Sequence, residues 1–157
     1  MKLNKTIVIA ALFCCGKTYL ANHTEYEVLD VEEEIKYQNH QNSMAFVKAY
    51  VNKIQQALGS KDIIFIAPRQ GVMASLRKLN IPYVLVYPEK TKECMDEWEK
   101  RAKERGDKDH LWKKVKYIFG LHLASLKNDK IAKSKIELKP NQYLSDVIED
   151  IIATQKK

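Results

Sequence analysis

Three short stretches, TIVIAALF (residues 6–13), DIIFIA (62–67) and YVLVY (83–87), are apolar almost without interruption and rich in β-branched side chains. A strand wetted on one face alternates polar with apolar residues. Unbroken runs of this length therefore belong to strands covered on both faces, the condition of a parallel sheet in an α/β domain. Between these runs the apolar residues recur at helical spacing: Val47, Tyr50, Val51, Ile54 and Leu58 in a helix from Ser43, then Val72, Met73, Leu76 and Leu79 in a second one. A further helix is predicted over Lys17–Asn22, with shorter strands over residues 26–31 (YEVLDV) and 135–138 (KIEL) and a closing helix over residues 143–153. Strands alternating with helices imply crossover connections and helices on both faces of the sheet.

Composition narrows the function classes. The 157 residues suit one domain, 1–157, and with 45% hydrophobic and 30% charged residues the chain has the balance of a folded globule. Lys plus Arg (27) exceed Asp plus Glu (20), a net +7 that favours a polyanionic ligand. No basic stripe is interleaved with aromatic residues, so nucleic acid is not the expected partner. The cysteines, Cys14, Cys15 and Cys94, have neither disulfide-framework nor zinc-ligand spacing. The start MKLNKTIVIAALFCC has the outline of a lipoprotein signal, but Phe13 stands where a small residue should precede Cys14. No apolar run approaches the ~20 residues of a membrane span. The expected location is cytoplasmic, and the oligomeric state is not legible.

In a parallel sheet, ligands bind beyond the carboxyl ends of the strands. After the first run, Ala11 to Thr18 reads A-L-F-C-C-G-K-T, which matches the phosphate-loop pattern G-x-x-x-x-G-K-[ST] with Ala11 in place of the first glycine. Backbone N–H groups at such a turn cradle phosphates, which would make Phe13, Cys14, Cys15, Gly16, Lys17, Thr18 and Tyr19 the nucleotide-binding stretch. Lys17 would reach the β and γ phosphates, and the Thr18 hydroxyl would ligate Mg²⁺. The second strand ends in Asp30-Val31-Glu32, where strand alternation would aim both carboxylates at that loop; Asp30 is a candidate for metal binding or for accepting a hydroxyl proton. The plainer reading of DVEEE is a solvated acidic helix start, and Glu33 and Glu34 are assigned to it.

The third strand ends in Pro68-Arg69-Gln70, and the planar fork of Arg69 suits an acceptor's phosphate oxygens. No acid ends this strand, so a Walker B carboxylate is missing. Residues 89–116 hold ten Lys/Arg and eight Asp/Glu, which predicts two exposed helices broken near Gly106 and Asp107. The second reaches about Leu126, with Leu111, Val115, Ile118, Leu123 and Leu126 facing inward. Arg101 and Arg105 share one helical face before the Gly106 hinge, as a mobile catalytic pair over a phosphate site would. A solvated charged helix is the plainer alternative. Trp98 and Trp112 read as packing anchors, and His110 and His122 as surface or core residues.

Taken in order, these features resemble the P-loop kinases of the nucleoside monophosphate kinase type, small phage-encoded nucleotide kinases included, over nearly the whole chain. The resemblance implies a three-layer P-loop NTPase fold: a five-stranded parallel sheet in order 2-3-1-4-5, an acceptor-binding helical segment at about 33–60 and a small helical lid at about 89–116. It also implies phosphoryl transfer from ATP with Mg²⁺, with Lys17, Asp30, Arg101 and Arg105 catalytic, Asp30, Glu32 and Arg69 at the acceptor, Thr18 and Asp30 at the metal, and Pro140 and Asn141 near adenine. The segment 36–58 carries Lys36, Lys48 and Lys53 but no arginine. The acceptor therefore stays open between a nucleotide, a nucleoside and a hydroxylated metabolite of the shikimate or gluconate kinase sort. The remaining alternative is a nucleotide- or nucleic-acid-binding protein without turnover.

Overall fold

The computed structural model describes residues 3, 5–35, 44–106 and 111–155. Ser43, Lys36, Asp107 and His110, and the side chain of Leu111, lie outside the described set. Five strands, β1 (Ile7–Ala11), β2 (Val28–Asp30), β3 (Ile63–Ile66), β4 (Val84–Pro88) and β5 (Ser134–Leu138), form one parallel sheet in the order β2-β3-β1-β4-β5. Every residue of β1, β3 and β4 is buried, as their unbroken apolar composition requires, whereas the edge strand β5 alternates between covered and exposed positions. The run that mimics a signal segment is thus the central strand.

The helices are α1 (Lys17–Asn22), α2 (Val31–Ile35), α3 (Met44–Ala57), α4 (Gln70–Lys78), α5 (Lys92–Glu104) and, at the end, α8 (Leu144–Gln155). Residues 111–127 form a continuous helical run between them. It opens as a 3-10 turn (Leu111–Lys114), continues as α6 (Val115–Tyr117), widens into a π turn (Ile118–His122) and closes as α7 (Leu123–Lys127). From β1 the chain moves one way along the sheet to β2, and every later crossover moves the other way. Right-handed crossovers then place α1 opposite α3 and α4. Accordingly α1 touches α8 while α3 packs on α4.

The charged segment corrects one expectation. α5 is not an exposed helix: Cys94, Trp98 and Ala102, four apart, form a stripe that is wholly buried, with Arg101 beside it. Its acidic and basic residues outnumber its apolar ones, but the apolar ones share one face. The helix is capped by the Thr91 side chain, which accepts from the Cys94 amide, and ends before Gly106 at φ 67°. In the following run Val115, Phe119, Leu123 and Leu126 are buried, while Ile118 is only half-buried.

A buried acid ties the chain between α7 and β5 to the sheet. Asp129 accepts hydrogen bonds from the Tyr83 hydroxyl (2.7 Å), Arg77 Nη2 (2.8 Å) and the amides of Ile131 and Ala132 (2.8 and 2.9 Å). Burial raises its pKa, but these donors outweigh burial and hold it at about 2, below the ordinary 3.8. A depressed carboxylate pKa stabilises the fold above the unfolded value, and that contribution disappears as the pH falls through the folded value. Wild type is expected to exceed Asp129→Asn by about 2 kcal/mol near neutrality, the gap closing between about pH 4 and pH 2. Urea titrations at stepped pH check it; a gap that stays constant down to about pH 2 would reject it.

Candidate functional site

The carboxyl ends of β1, β2 and β3 open on a cavity of about 1210 Å³. Phe13, Cys14, Gly16, Lys17, Thr18 and Tyr19 line it from the loop after β1, Asp30 and Glu32 from the β2–α2 junction, Arg69 from the start of α4, and Arg101 and Arg105 from the end of α5. A smaller cavity of about 340 Å³ lies at the opposite end of the sheet, between Thr6, Pro82 and Ile152, far from all of these.

The loop after β1 is held from behind. Trp98 Nε1 donates to the Phe13 carbonyl (2.9 Å), Arg101 Nη1 to the Cys14 carbonyl (3.0 Å), and the Leu144 amide to the Cys15 carbonyl (2.8 Å). All peptides here are trans. In a trans peptide the carbonyl of one residue and the N–H of the next point in opposite directions. Tethering three successive carbonyls to α5 and the first residue of α8 therefore turns the N–H groups of Cys14, Cys15 and Gly16 away from those tethers. Three adjacent donors arranged like this form an anion nest. The left-handed backbone it needs falls at Cys14 (φ 62°) and Gly16 (φ 96°). Glycine suits this backbone at position 16, and a Cβ there would also press on the Tyr143 ring at 3.2 Å. Ala11, by contrast, is the last residue of β1 and pairs with Val86, so extended backbone there needs no glycine.

Lys17 crosses the loop, and its Nζ donates to the Ala11 carbonyl (2.8 Å). Burial lowers its pKa, opposed by Asp30, Cys15 and Glu32. Burial likewise raises Asp30, opposed first by Lys17. The Cys15 thiol is fully buried and pushed up to about 12, chiefly by burial, so it is an inert packing group. Thr18 and Tyr19 stand exposed on the first turn of α1, with Tyr19 stacked on His23 at 4.0 Å.

Across the cavity, Arg69 is paired: Nη2 donates to Glu32 Oε1 (2.7 Å) and Nε to Oε2 (3.1 Å). Its guanidinium also lies over the Phe46 ring, 5.3 Å from the centroid. Burial pushes Glu32 up, but the Arg69 hydrogen bonds and charge, helped by the Tyr50 hydroxyl, bring its pKa below the usual value. Tyr50 is buried and accepts from the Ala67 amide (3.0 Å). Glu32 is the second residue of α2, two past the end of the strand, so strand alternation does not place it; the sharp β2–α2 junction does.

Arg101 differs most from its sequence reading. It is 7% exposed, lies between the Trp98 ring (4.0 Å) and the Tyr143 ring (3.8 Å), and donates to the carbonyls of Cys14, Pro140 and Gln142. A side chain fixed on three carbonyls is a brace, not a mobile arm. Arg105, one turn on, remains exposed at the cavity mouth. Pro140 and Asn141 are beside the loop but do not line the cavity; Tyr143 does. Sequence reading passed over Tyr143, Phe46 and Lys114, assigned Glu33 to a solvated helix start although it lines the cavity, and gave Tyr50 and Trp98 packing roles only. The one available signal was the i, i+3 spacing of Trp98 and Arg101 on a single helical face.

Among the described residues no group of three or more His, Cys, Asp or Glu side chains is placed to hold a metal ion by itself, and no helix is long and apolar enough to cross a membrane. No protein-family model matches the chain, and no curated protein matches it.

Proposed function

We propose that the protein is an ATP- and Mg²⁺-dependent kinase of the P-loop type that phosphorylates a nucleotide or nucleoside. The observation that carries this reading is the loop 13–16: its carbonyls are tethered behind it, so its amides form an anion nest beside Lys17. Three amides and one ammonium suit a triphosphate chain better than a single carboxylate. Thr18 and Asp30, both on the cavity wall, would hold Mg²⁺, with phosphate oxygens and water completing its shell; when bound, the ion neutralises charge on the phosphates.

The residues divide the work along the cavity. Lys17, released from Ala11, binds phosphate oxygens; Arg105, exposed at the cavity, would close on the transferred group, where charge spreads in the transition state. Arg101 positions the loop. Asp30, which would hold the metal, lies on the wall that an acceptor hydroxyl would approach, and burial raises its pKa.

Mg-ATP is expected to raise the thermal midpoint of the wild-type protein, corresponding to about 2.7 kcal/mol at a hundredfold excess over its Kd. A midpoint unmoved by saturating Mg-ATP would reject the reading.

A further inference from the structure

Resting on the kinase reading, we infer that the acceptor enters without a phosphate: it is a nucleoside or comparable hydroxylated ring, not a monophosphate. Arg69 is the cation expected to grip an acceptor phosphate, yet both of its outward donors, Nε and Nη2, are used by the two oxygens of Glu32. The pair is bidentate, the geometry that a phosphate would have to displace. Displacement would leave Glu32, half-buried on the wall and otherwise held by Tyr50, facing a dianion. Asp30 and Glu33 line the same end. Phe46 stacked under the guanidinium and Tyr50 behind the carboxylate fix the pair in place.

Of the charged residues lining the cavity, Asp30, Glu32, Glu33 and Arg69 come from the β2–α2 junction and the start of α4, whereas Lys17, Arg101, Glu104, Arg105 and Lys114 come from the loop after β1, from α5 and from the run that follows it. The first group holds three carboxylates to one cation, and that cation is already paired with Glu32. Its carboxylate oxygens accept hydrogen bonds from hydroxyl or amino groups and disfavour a phosphate. Ile35 and Phe46 add an apolar wall suited to a ring. In the transfer, the acceptor hydroxyl oxygen bonds to the γ-phosphorus, the bond from that phosphorus to the β–γ bridging oxygen breaks, and ADP leaves. The hydroxyl proton leaves to solvent water.

The test uses the full chain and matched pairs of acceptors: the ribo- and deoxyribonucleosides with their 5′-monophosphates, and polyols and sugar acids with their phosphomonoesters. ADP release is measured under Mg-ATP, after ATP binding is established by thermal shift. The expected result is a kcat/KM for one hydroxylated compound at least about a hundredfold above that of its phosphomonoester, since like charges face each other in the latter. In Glu32→Gln, which removes one charge and releases Arg69, that ratio should fall at least about tenfold. A monophosphate preferred by wild type, with ADP release intact, would overturn the phosphate-free acceptor and leave the kinase standing. ATP binding without ADP release on any acceptor would overturn both, and so would an absence of ATP binding.

Discussion

Arg101→Ala is expected to destabilise the fold by on the order of 3 kcal/mol. The side chain is buried, and it donates to the carbonyls of Cys14, Pro140 and Gln142 at 2.9–3.0 Å while two aromatic rings cover its faces. Removing it leaves three acceptors without their donor, and each buried one costs about 1–3 kcal/mol. The adjoining cavity admits water to some of them, which places the total at the lower end. The Glu97 contact, 3.3 Å and at the rim, contributes little. Lysine keeps the charge but lacks the planar fork that reaches three carbonyls at once, so Arg101→Lys should recover only part of the loss. Denaturant midpoints check both variants. Because the Cys14 carbonyl is then untethered, amide exchange at residues 14–16 should accelerate in Arg101→Ala beyond the global change. A midpoint equal to that of wild type would return Arg101 to the role of a mobile lid side chain.

That brace also shows where sequence reading ends. Residues 6–13, 62–67 and 83–87 were legible as central strands because burial on both faces leaves no polar position to disturb the pattern, whereas the strand order came only with the resemblance to P-loop kinases. Gly16, Lys17 and Thr18 were legible because a glycine in left-handed backbone and the two residues after it are fixed locally. Arg101 was not, since its partners lie 39 to 87 residues away in sequence and an arginine in a charged segment reads the same whether it faces water or carbonyls. Arg69 was found, but its pairing with Glu32 depends on how β2 turns into α2, a boundary that the strand pattern of residues 26–31 overran by placing Glu32 just past a strand that actually ends at Asp30. Phe119 was missed for a simpler reason: Ile118 and Phe119 are adjacent apolar residues, three and four after Val115, so helical spacing alone admits either, and the structure buries Phe119.

Lys17→Ala is expected to lower turnover by at least about 10³, with nucleotide binding weakened in parallel, because it deletes the ammonium that directly follows the nest while leaving the amides in place. The fold should not suffer. The Nζ bond of Lys17 to the Ala11 carbonyl is its only direct hydrogen bond among the described residues, and burial lowers its pKa in spite of Asp30, Cys15 and Glu32. A lysine whose folded pKa lies below the unfolded 10.5 destabilises the fold while it is charged. That penalty is complete below the folded pKa and fades as the pH rises from there to the unfolded value. Ligand-free Lys17→Ala should therefore be at least as stable as wild type near neutrality, with any advantage shrinking in alkali. Arginine in its place should not restore activity, since the ammonium acts here as a compact point charge and the fork is too wide for the loop. The measurements are Mg-ATP thermal shifts and denaturant titrations at neutral and alkaline pH. A Lys17→Ala protein that binds Mg-ATP as tightly as wild type would show that the loop is a structural turn and not a phosphate site.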